Sequence, residues 1–303
     1  MKNTLVNCVL LKTSFRFIQT ALYSTKGHVL IGGGTGFIGR NLRELLLREK
    51  YEVTVLSRIK TGEKHIINWA DLILNGLPKK HNCCGQFDCR VGSTMLLTDI
   101  LNLTKCKPNV FITITSTDMY PSDGVHTEQF IPTNQMIDCN FFTKLGMEWE
   151  QASNNFPFRK ISIRTGTVLG NDGGFLKCLK YLIAIGIGTR IGNGCQHQPW
   201  IHICDLLNLI LFSIENKEVC GILNGVSPNC ITNEELITIY TLMSKKPSMI
   251  LNTPRILLKT IFGEERTQLI LEGRKVLPTR TLESGFKFQY FEIEDALRNI
   301  KGR

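Results

Sequence analysis

No acidic side chain occurs before Glu44, and no apolar run reaches the roughly 20 residues that a membrane-spanning helix needs. The second absence excludes a membrane span. The first goes with Lys2, Lys12 and Arg16 set among Ser and Thr, and with Phe15, Phe17, Ile18 and Leu22 interleaved. That pattern predicts a basic amphipathic helix of the mitochondrial transit type over residues 1–26, with a disordered extension of a cytoplasmic protein as the alternative. The eleven cysteines lack repeated C-x-x-C pairing and any secreted-scaffold spacing, so free thiols in a reducing compartment are expected. His81 with Cys83, Cys84 and Cys89 is the one cluster that resembles a metal set. Adjacent cysteines seldom close one tetrahedral site, and no metal is expected there. The net charge of +10 owes four charges to Lys2, Lys12, Arg16 and Lys26, and no aromatic-basic stripe accompanies the rest. Nucleic acid is therefore not an expected partner. Internal repeats and low-complexity linkers are also lacking.

What the chain does have is a glycine-rich turn in a telling place. Val29 to Ile31 reads as a short buried strand, and Arg40 to Arg48 as a helix with Leu42, Leu45 and Leu46 on one face. Between them Gly33, Gly36 and Gly39 fall at three-residue spacing, and Gly34-x-Gly36-x-x-Gly39 satisfies the dinucleotide fingerprint. Strand, tight turn and helix N-terminus together offer backbone amides and the positive end of the helix to a pyrophosphate. Gly33, Thr35, Gly36, Phe37, Ile38 and Gly39 are the candidate contacts. A second strand, Tyr51 to Leu56, ends at Ser57-Arg58-Ile59-Lys60. An NAD site places an acid near this strand end for the ribose hydroxyls; here Arg58 and Lys60 stand instead, which suits a 2′-phosphate. NADP is expected over NAD, with Ser57, Arg58 and Ile59 as contacts; a solvated surface arginine is the alternative for Arg58.

Further along, strands are predicted at His65–Trp69, Val110–Thr115, Lys160–Arg164, Trp200–Ile203 and Cys220–Leu223. Helices are predicted at Met95–Leu103, Phe142–Ala152, Phe175–Ile185 and Leu206–Glu215, the last with Asp205 as its N-cap. Thr232 with Glu235 is a capping-box pattern ahead of the helix Glu234–Met243. Residues 165–170 and the glycine-rich 186–194 read as loops, and the last sixty residues as two or three helices. With 303 residues at 43% hydrophobic, the chain suffices for one large core and a smaller lobe.

The turn V-L-I-G-G-G-T-G-F-I-G-R, then V-T-V-L-S-R, I-R-T-G-T-V-L-G, G-N-G-C-Q-H-Q-P-W-I-H-I-C-D-L and the carboxyl-terminal F-G-E-E-R-T-Q-L-I-L-E-G-R-K-V-L-P-T-R-T-L-E-S-G-F-K-F resemble one family. It is the atypical, sugar-epimerase-like branch of the extended short-chain dehydrogenase/reductases, and the likeness covers about residues 27–300. It implies an α/β fold, a doubly wound Rossmann-type parallel sheet with a small carboxyl-terminal lobe. The corresponding division is 27–170 for the core of the NADP-binding domain, 171–250 for cleft loops, late Rossmann elements and the start of the substrate lobe, and 251–303 for a helical lobe.

The resemblance also implies a carbonyl-polarising role for Ser116, with Tyr120 nearby, and cofactor contacts at Thr167 and Val168. His197, Trp200 and His202 either contact substrate or fix a cleft loop, and a satisfied core histidine is the alternative for His202. The Tyr-x-x-x-Lys pair of such reductases is replaced by Phe142 and Gly146, which carry neither a hydroxyl nor a charge. Relatives also have a fourth strand where roughly two dozen residues are missing between Cys83 and Arg90, so that strand is missing or degenerate. An arginine that relatives place near the cofactor corresponds to Thr94. The expected function is an NADP-dependent oxidoreductase or epimerase of an unidentified small molecule. The alternatives are a cofactor-binding sensor or scaffold without turnover and a shortened chain that folds poorly. A homodimer is left open.

Overall fold

The computed structural model describes residues 7–11, 25–57, 65–68, 88–103, 108–184, 186–244 and 249–302. Arg58, Ile59, His81, Cys83, Cys84 and the turn expected at 71–74 lie outside them. A seven-stranded sheet organises the chain. Its strands are β1 (Asn7–Leu11), β2 (Gly27–Gly32), β3 (Tyr51–Ser57), β4 (Ile66–Asn68), β5 (Pro108–Ser116), β6 (Arg159–Thr165) and β7 (Gly221–Gly225), in the order β7-β6-β5-β1-β2-β3-β4. β2, β3 and β4 run parallel, with Ile31 opposite Val55 and Val55 opposite Ile66. Apart from β1 this is the doubly wound order.

The strands form where the residues are β-branched and apolar in runs rather than in strict alternation, because both faces of such a sheet are covered. In β5 every residue from Val110 to Thr115 is buried. Helix α1 (Phe37–Arg48) buries Leu42 and Leu46, one turn apart, as its pattern predicts. α2 (Ser93–Leu103) sets Leu97 and Leu101 in a cluster with Leu56, Phe111 and Phe156. On α3 (Phe141–Gln151) Leu145 and Trp149 pack with Val91 and Ala152. Among the described residues no helix is long and apolar enough to cross a membrane.

Two expectations change at the amino terminus. Asn7–Leu11 is a strand, not part of an amphipathic helix; Val9, Leu10 and Leu11 are consecutive apolar residues, a pattern that suits a strand inside a sheet. It pairs antiparallel with both β2 and β5 and so occupies the position that the fourth strand holds in a doubly wound sheet.

The chain separates into two compact units that interleave in sequence. The first comprises residues up to Thr115, Leu145–Ile163 and Leu207–Ile222; the second Ser116–Lys144, Arg164–Leu206 and Leu223–Arg303. In the first unit Arg159 closes the helix Ile203–Glu215. Its guanidinium donates to the carbonyls of Ser213, Ile214, Asn216 and Val219 at 2.8 to 3.2 Å, where the helix dipole is negative. Near the surface Lys26 pairs with Glu49 and Glu215, and the Tyr51 hydroxyl donates to Glu215 at 3.2 Å. Burial, then the Glu215 charge, push the Tyr51 phenol up to about 12. A phenol whose folded pKa lies above its unfolded value contributes stability in full below pH 10 and loses it between pH 10 and about 12. Alkaline unfolding followed by circular dichroism should therefore lose that limb in Tyr51→Phe; an identical profile contradicts this assignment.

The second unit has its own core, in which Leu176, Leu179, Trp200, Leu236, Ile237, Tyr240, Ala296 and Leu297 meet. The Thr232–Glu235 capping box forms as read, with both reciprocal hydrogen bonds. Three local readings are corrected. Thr167–Leu169 is a strand paired in parallel with Trp200–His202, and Ile187–Ile191 is a strand paired in parallel with Met249–Thr253. Asp205 does not cap a helix: that helix begins at Ile203, and the carboxylate instead accepts the amides of Gln289 and Tyr290 at 2.8 and 2.9 Å. Each correction has one cause, a partner remote in sequence that local propensity cannot register.

Candidate functional site

In the first unit the glycine turn follows β2 directly. Gly33 has φ +77°, a conformation that penalises any side chain, and its amide donates to the Leu56 carbonyl at 3.2 Å. The chain turns back so that the Gly36 amide donates to Gly33 O at 3.2 Å, and α1 starts with Arg40 N on Gly36 O at 2.9 Å. A Cβ on Gly34 would lie 2.7 Å from both Val55 methyls, and one on Gly39 would lie 2.5 Å from Gly34 Cα and 2.6 Å from Gly33 O. The turn is thus pressed against β3 on one side and against α1 on the other. Gly36, the N-cap of α1, contributes no side-chain cap, and the first turn holds no acid. The early amides of α1 therefore face whatever anion arrives without a side-chain competitor. Thr35 is exposed and Gly36, Phe37 and Ile38 are half-buried, so this stretch is open to a ligand and fits a pyrophosphate. Ser57, at the end of β3, is buried.

Thr94, which the resemblance matches to an arginine, is fully buried. Its hydroxyl donates to Arg90 O at 2.9 Å and accepts the Trp149 indole N–H at 3.0 Å, while the Arg90 guanidinium lies over the Trp149 ring at 5.1 Å.

The remaining candidates belong to the second unit. Ser116 is half-buried and caps the turn Thr117–Met119, its Oγ accepting the Asp118 amide at 3.3 Å. Tyr120 has no exposed surface. Its hydroxyl donates to Asn224 Oδ1 at 2.7 Å and accepts from Arg164 at 3.1 Å, and its ring stacks on His126. Burial raises the phenol's pKa against the opposing pull of Arg164. In this arrangement the Tyr120 hydroxyl is committed to Asn224 and Arg164. At the head of α3, Phe142 is half-buried and Gly146 buried, and the Phe142 and Thr143 amides donate to the Asn140 side chain. Lys144 is exposed.

Thr167 and Val168 are half-buried; the Thr167 hydroxyl accepts from Gln198 Nε2 at 3.3 Å, and Gln198 in turn accepts from Asn233 at 2.9 Å. Gly166 makes this close approach possible, since a Cβ there would lie 2.5 Å from Pro199 O. Of the three cleft-loop candidates, two are core residues. Trp200 is fully buried with its indole N–H on Asn229 O at 3.0 Å. His202 is 1% exposed, accepts the Cys204 amide on Nδ1 at 3.1 Å and lies 3.9 Å from the Tyr290 ring. His197 is half-buried and holds Arg274 N on its carbonyl at 2.9 Å.

Sequence reasoning missed Glu128, a carboxylate of the second unit that accepts four hydrogen bonds. It is 5% exposed and accepts from the amides of Asn224, Arg280 and Thr281 and from the Thr281 hydroxyl, at 3.0 to 3.2 Å. Its donors lie 96 to 153 positions away, so no local motif announces them.

Residues 29–77 match the NAD dependent epimerase/dehydratase family, and residues 253–300 match a domain of unknown function, DUF1731. The epimerase family protein SDR39U1 of Bos taurus is 33% identical over 296 residues, covering 90% of this chain and 99% of its own. An alignment of that length leaves roughly two dozen positions of the bovine protein with no counterpart here. The chloroplastic SDR39U1 homolog of Arabidopsis thaliana is 30% identical over 303 residues, covering 90% of this chain and 86% of its own. The crystal structure of human SDR39U1 (isoform 2) with NADPH superposes with a TM-score of 0.81 at 31% identity, covering 90% of this chain and 99% of that one. A nucleoside-diphosphate sugar epimerase of Corynebacterium glutamicum, at 24% identity and a TM-score of 0.69, shares the fold. Glycine turn, strand order and likeness along nearly the whole length agree: the chain belongs to the epimerase family of extended short-chain dehydrogenase/reductase fold that includes the SDR39U1 proteins.

Proposed function

We propose that this protein binds NADP(H) in preference to NAD(H) and holds it without the Tyr-x-x-x-Lys proton relay of typical reductases. The observation that carries the reading is the turn Gly33–Gly39, in which Gly33 has a positive φ, Gly34 and Gly39 leave no room for a Cβ, and the helix end is left free for phosphate. The NADPH bound to the human relative supports the choice of cofactor. Preference for the 2′-phosphate rests on Arg58 and Lys60, which follow β3 in the sequence where an NAD site has an acid.

Bound NADP(H) supplies or accepts hydride, and reducing a carbonyl also takes one proton to oxygen. With Phe142 and Gly146 in the relay positions and Tyr120 sealed in the core, Ser116 is the polar group left to polarise an oxygen. A hydroxyl can donate a hydrogen bond to a small carbonyl or alcohol, but no flanking lysine lowers its pKa. Binding is therefore strong relative to turnover, and the reading as a sensor or scaffold outranks that of a rapid oxidoreductase.

Titrating the protein with NADPH and NADH while following tryptophan quenching tests this. Saturable binding of NADPH, at least tenfold tighter than NADH, is expected; a folded protein that saturates with neither refutes the reading. Arg58→Glu should remove most of the preference by weakening NADPH alone, and an unchanged ratio of the two affinities discards the role given to Arg58.

A further inference from the structure

We infer that Asn7–Leu11 takes the place that a doubly wound sheet gives its fourth strand, and that the cofactor turn depends on it. β1 is antiparallel to both of its neighbours, so β2 and β5 run the same way. They are held two strand spacings apart, roughly 9.5 Å. A doubly wound sheet fills that gap with its fourth strand, supplied by the chain between strands three and five. Here the described residues between β4 and β5 contain only the turn Asp88–Gly92 and α2.

Left open, the gap would strand two rows of backbone N–H and C=O groups in the middle of the sheet, a cost proteins do not carry. β1 satisfies both rows over its five residues. Asn7 to Leu11 lie opposite Gly32 to His28 on one side, and opposite Thr113 to Pro108 on the other, with one register shift at Leu10/Leu11. A strand from the opposite end of the chain can enter a parallel slot in this way because antiparallel pairing is at least as stable per residue as parallel pairing.

The register carries the inference to the cofactor. Asn7 pairs with Gly32, the residue immediately before Gly33, so β1 supports β2 up to the point where the phosphate turn begins. This part rests on the NADP(H) reading above. Cleavage near residue 26 would remove β1 and reopen the slot.

Two experiments on the full chain decide the matter. Cys8 lies in register with Ile31 and with Ile112. In Ile31→Cys and in Ile112→Cys, mild oxidation with copper phenanthroline should therefore join residue 8 to the new cysteine, identified by peptide mass. Leu30→Cys, one position along and on the opposite face, should not join. No crosslink in either register variant, with the fold retained by circular dichroism, overturns the placement.

Dependence is read from Val9→Pro, which removes one ladder donor from a strand paired on both sides. Its Tm should fall by at least 5 °C and its Kd for NADPH should rise at least tenfold; unchanged values overturn the dependence. If the unaltered protein binds no NADPH, the cofactor reading fails, while the crosslinks and the Tm still judge the strand.

Discussion

Gly39→Ala is expected to raise the Kd for NADPH at least 100-fold and to lower Tm. The added methyl group would sit 2.5 Å from Gly34 Cα, 2.6 Å from Gly33 O and 2.9 Å from Gly34 C. All three are backbone atoms, so no side chain can rotate away, and ordinary contact requires the turn and α1 to part by about 1 Å. Overpacking of this kind costs about 1 to 3 kcal/mol in stability. The loss in affinity is larger because the displaced atoms are the ones offered to the pyrophosphate. Several charge-assisted amide hydrogen bonds and the helix end lose their alignment together, and about 2.7 kcal/mol of binding corresponds to 100-fold. Fluorescence titration beside a thermal melt separates the two effects. A folded Gly39→Ala protein with unchanged affinity would show that the cofactor is held elsewhere.

The second large effect is expected at Glu128. The helix Thr279–Glu283 starts after Pro278, which offers it no side-chain cap. Glu128 supplies the cap from 150 residues upstream: Oε2 accepts the Arg280 amide at 3.0 Å, and Oε1 takes the Thr281 amide and hydroxyl together with the Asn224 amide. Asn224 in turn binds the Tyr120 hydroxyl and Leu277 O, so one carboxylate ties together the segment around Tyr120, the end of β7 and the carboxyl-terminal region. Glu128→Ala takes the carboxylate away from three backbone amides, while the Thr281 hydroxyl keeps Asn224 O at 3.1 Å, and the loss costs about 3 to 5 kcal/mol. Tm should fall by about 10 °C. Water entering from the adjoining cavity, lined by Thr127, Gln129, Thr279, Arg280 and Glu283, would moderate the loss toward the lower figure. Glu128→Gln should lose less, because its one carbonyl oxygen can keep the three Oε1 contacts and only the Arg280 amide then faces an NH2 group that cannot accept. A melt of Glu128→Ala within 2 °C of the parent would contradict the capping role.

These two sites differ in how far they could be read in advance. The glycine turn is legible because its geometry is local: Gly33, Gly36 and Gly39 belong to seven consecutive residues at the join of a strand and a helix. The same holds for α1, whose Leu42 and Leu46 lie one turn apart, and for the Thr232–Glu235 capping box. Glu128 is not legible, since its four donors come from residues remote in sequence. Asp205 shows the same limit in reverse. A sound local reading as an N-cap gives way to a better offer from the Gln289 and Tyr290 amides. Tyr120 and His202 illustrate it for chemistry: both residue types can act on substrates, and only the tertiary structure shows that both are buried.

The amino acid sequence by itself determined the glycine-rich turn, the strands and helices with clear periodicity, the family, and the residue types Phe142 and Gly146 where the resemblance expects a Tyr-x-x-x-Lys pair. Each rests on residue identity or on spacing within a few turns of chain. Only the tertiary structure decided that Asn7–Leu11 is a central strand, that Thr167–Leu169 and Ile187–Ile191 pair as strands, and that Glu128 caps a helix more than a hundred residues away. The physical reason is the same in each case. A backbone donor or acceptor must find a partner, and which one it finds depends on what the fold brings alongside.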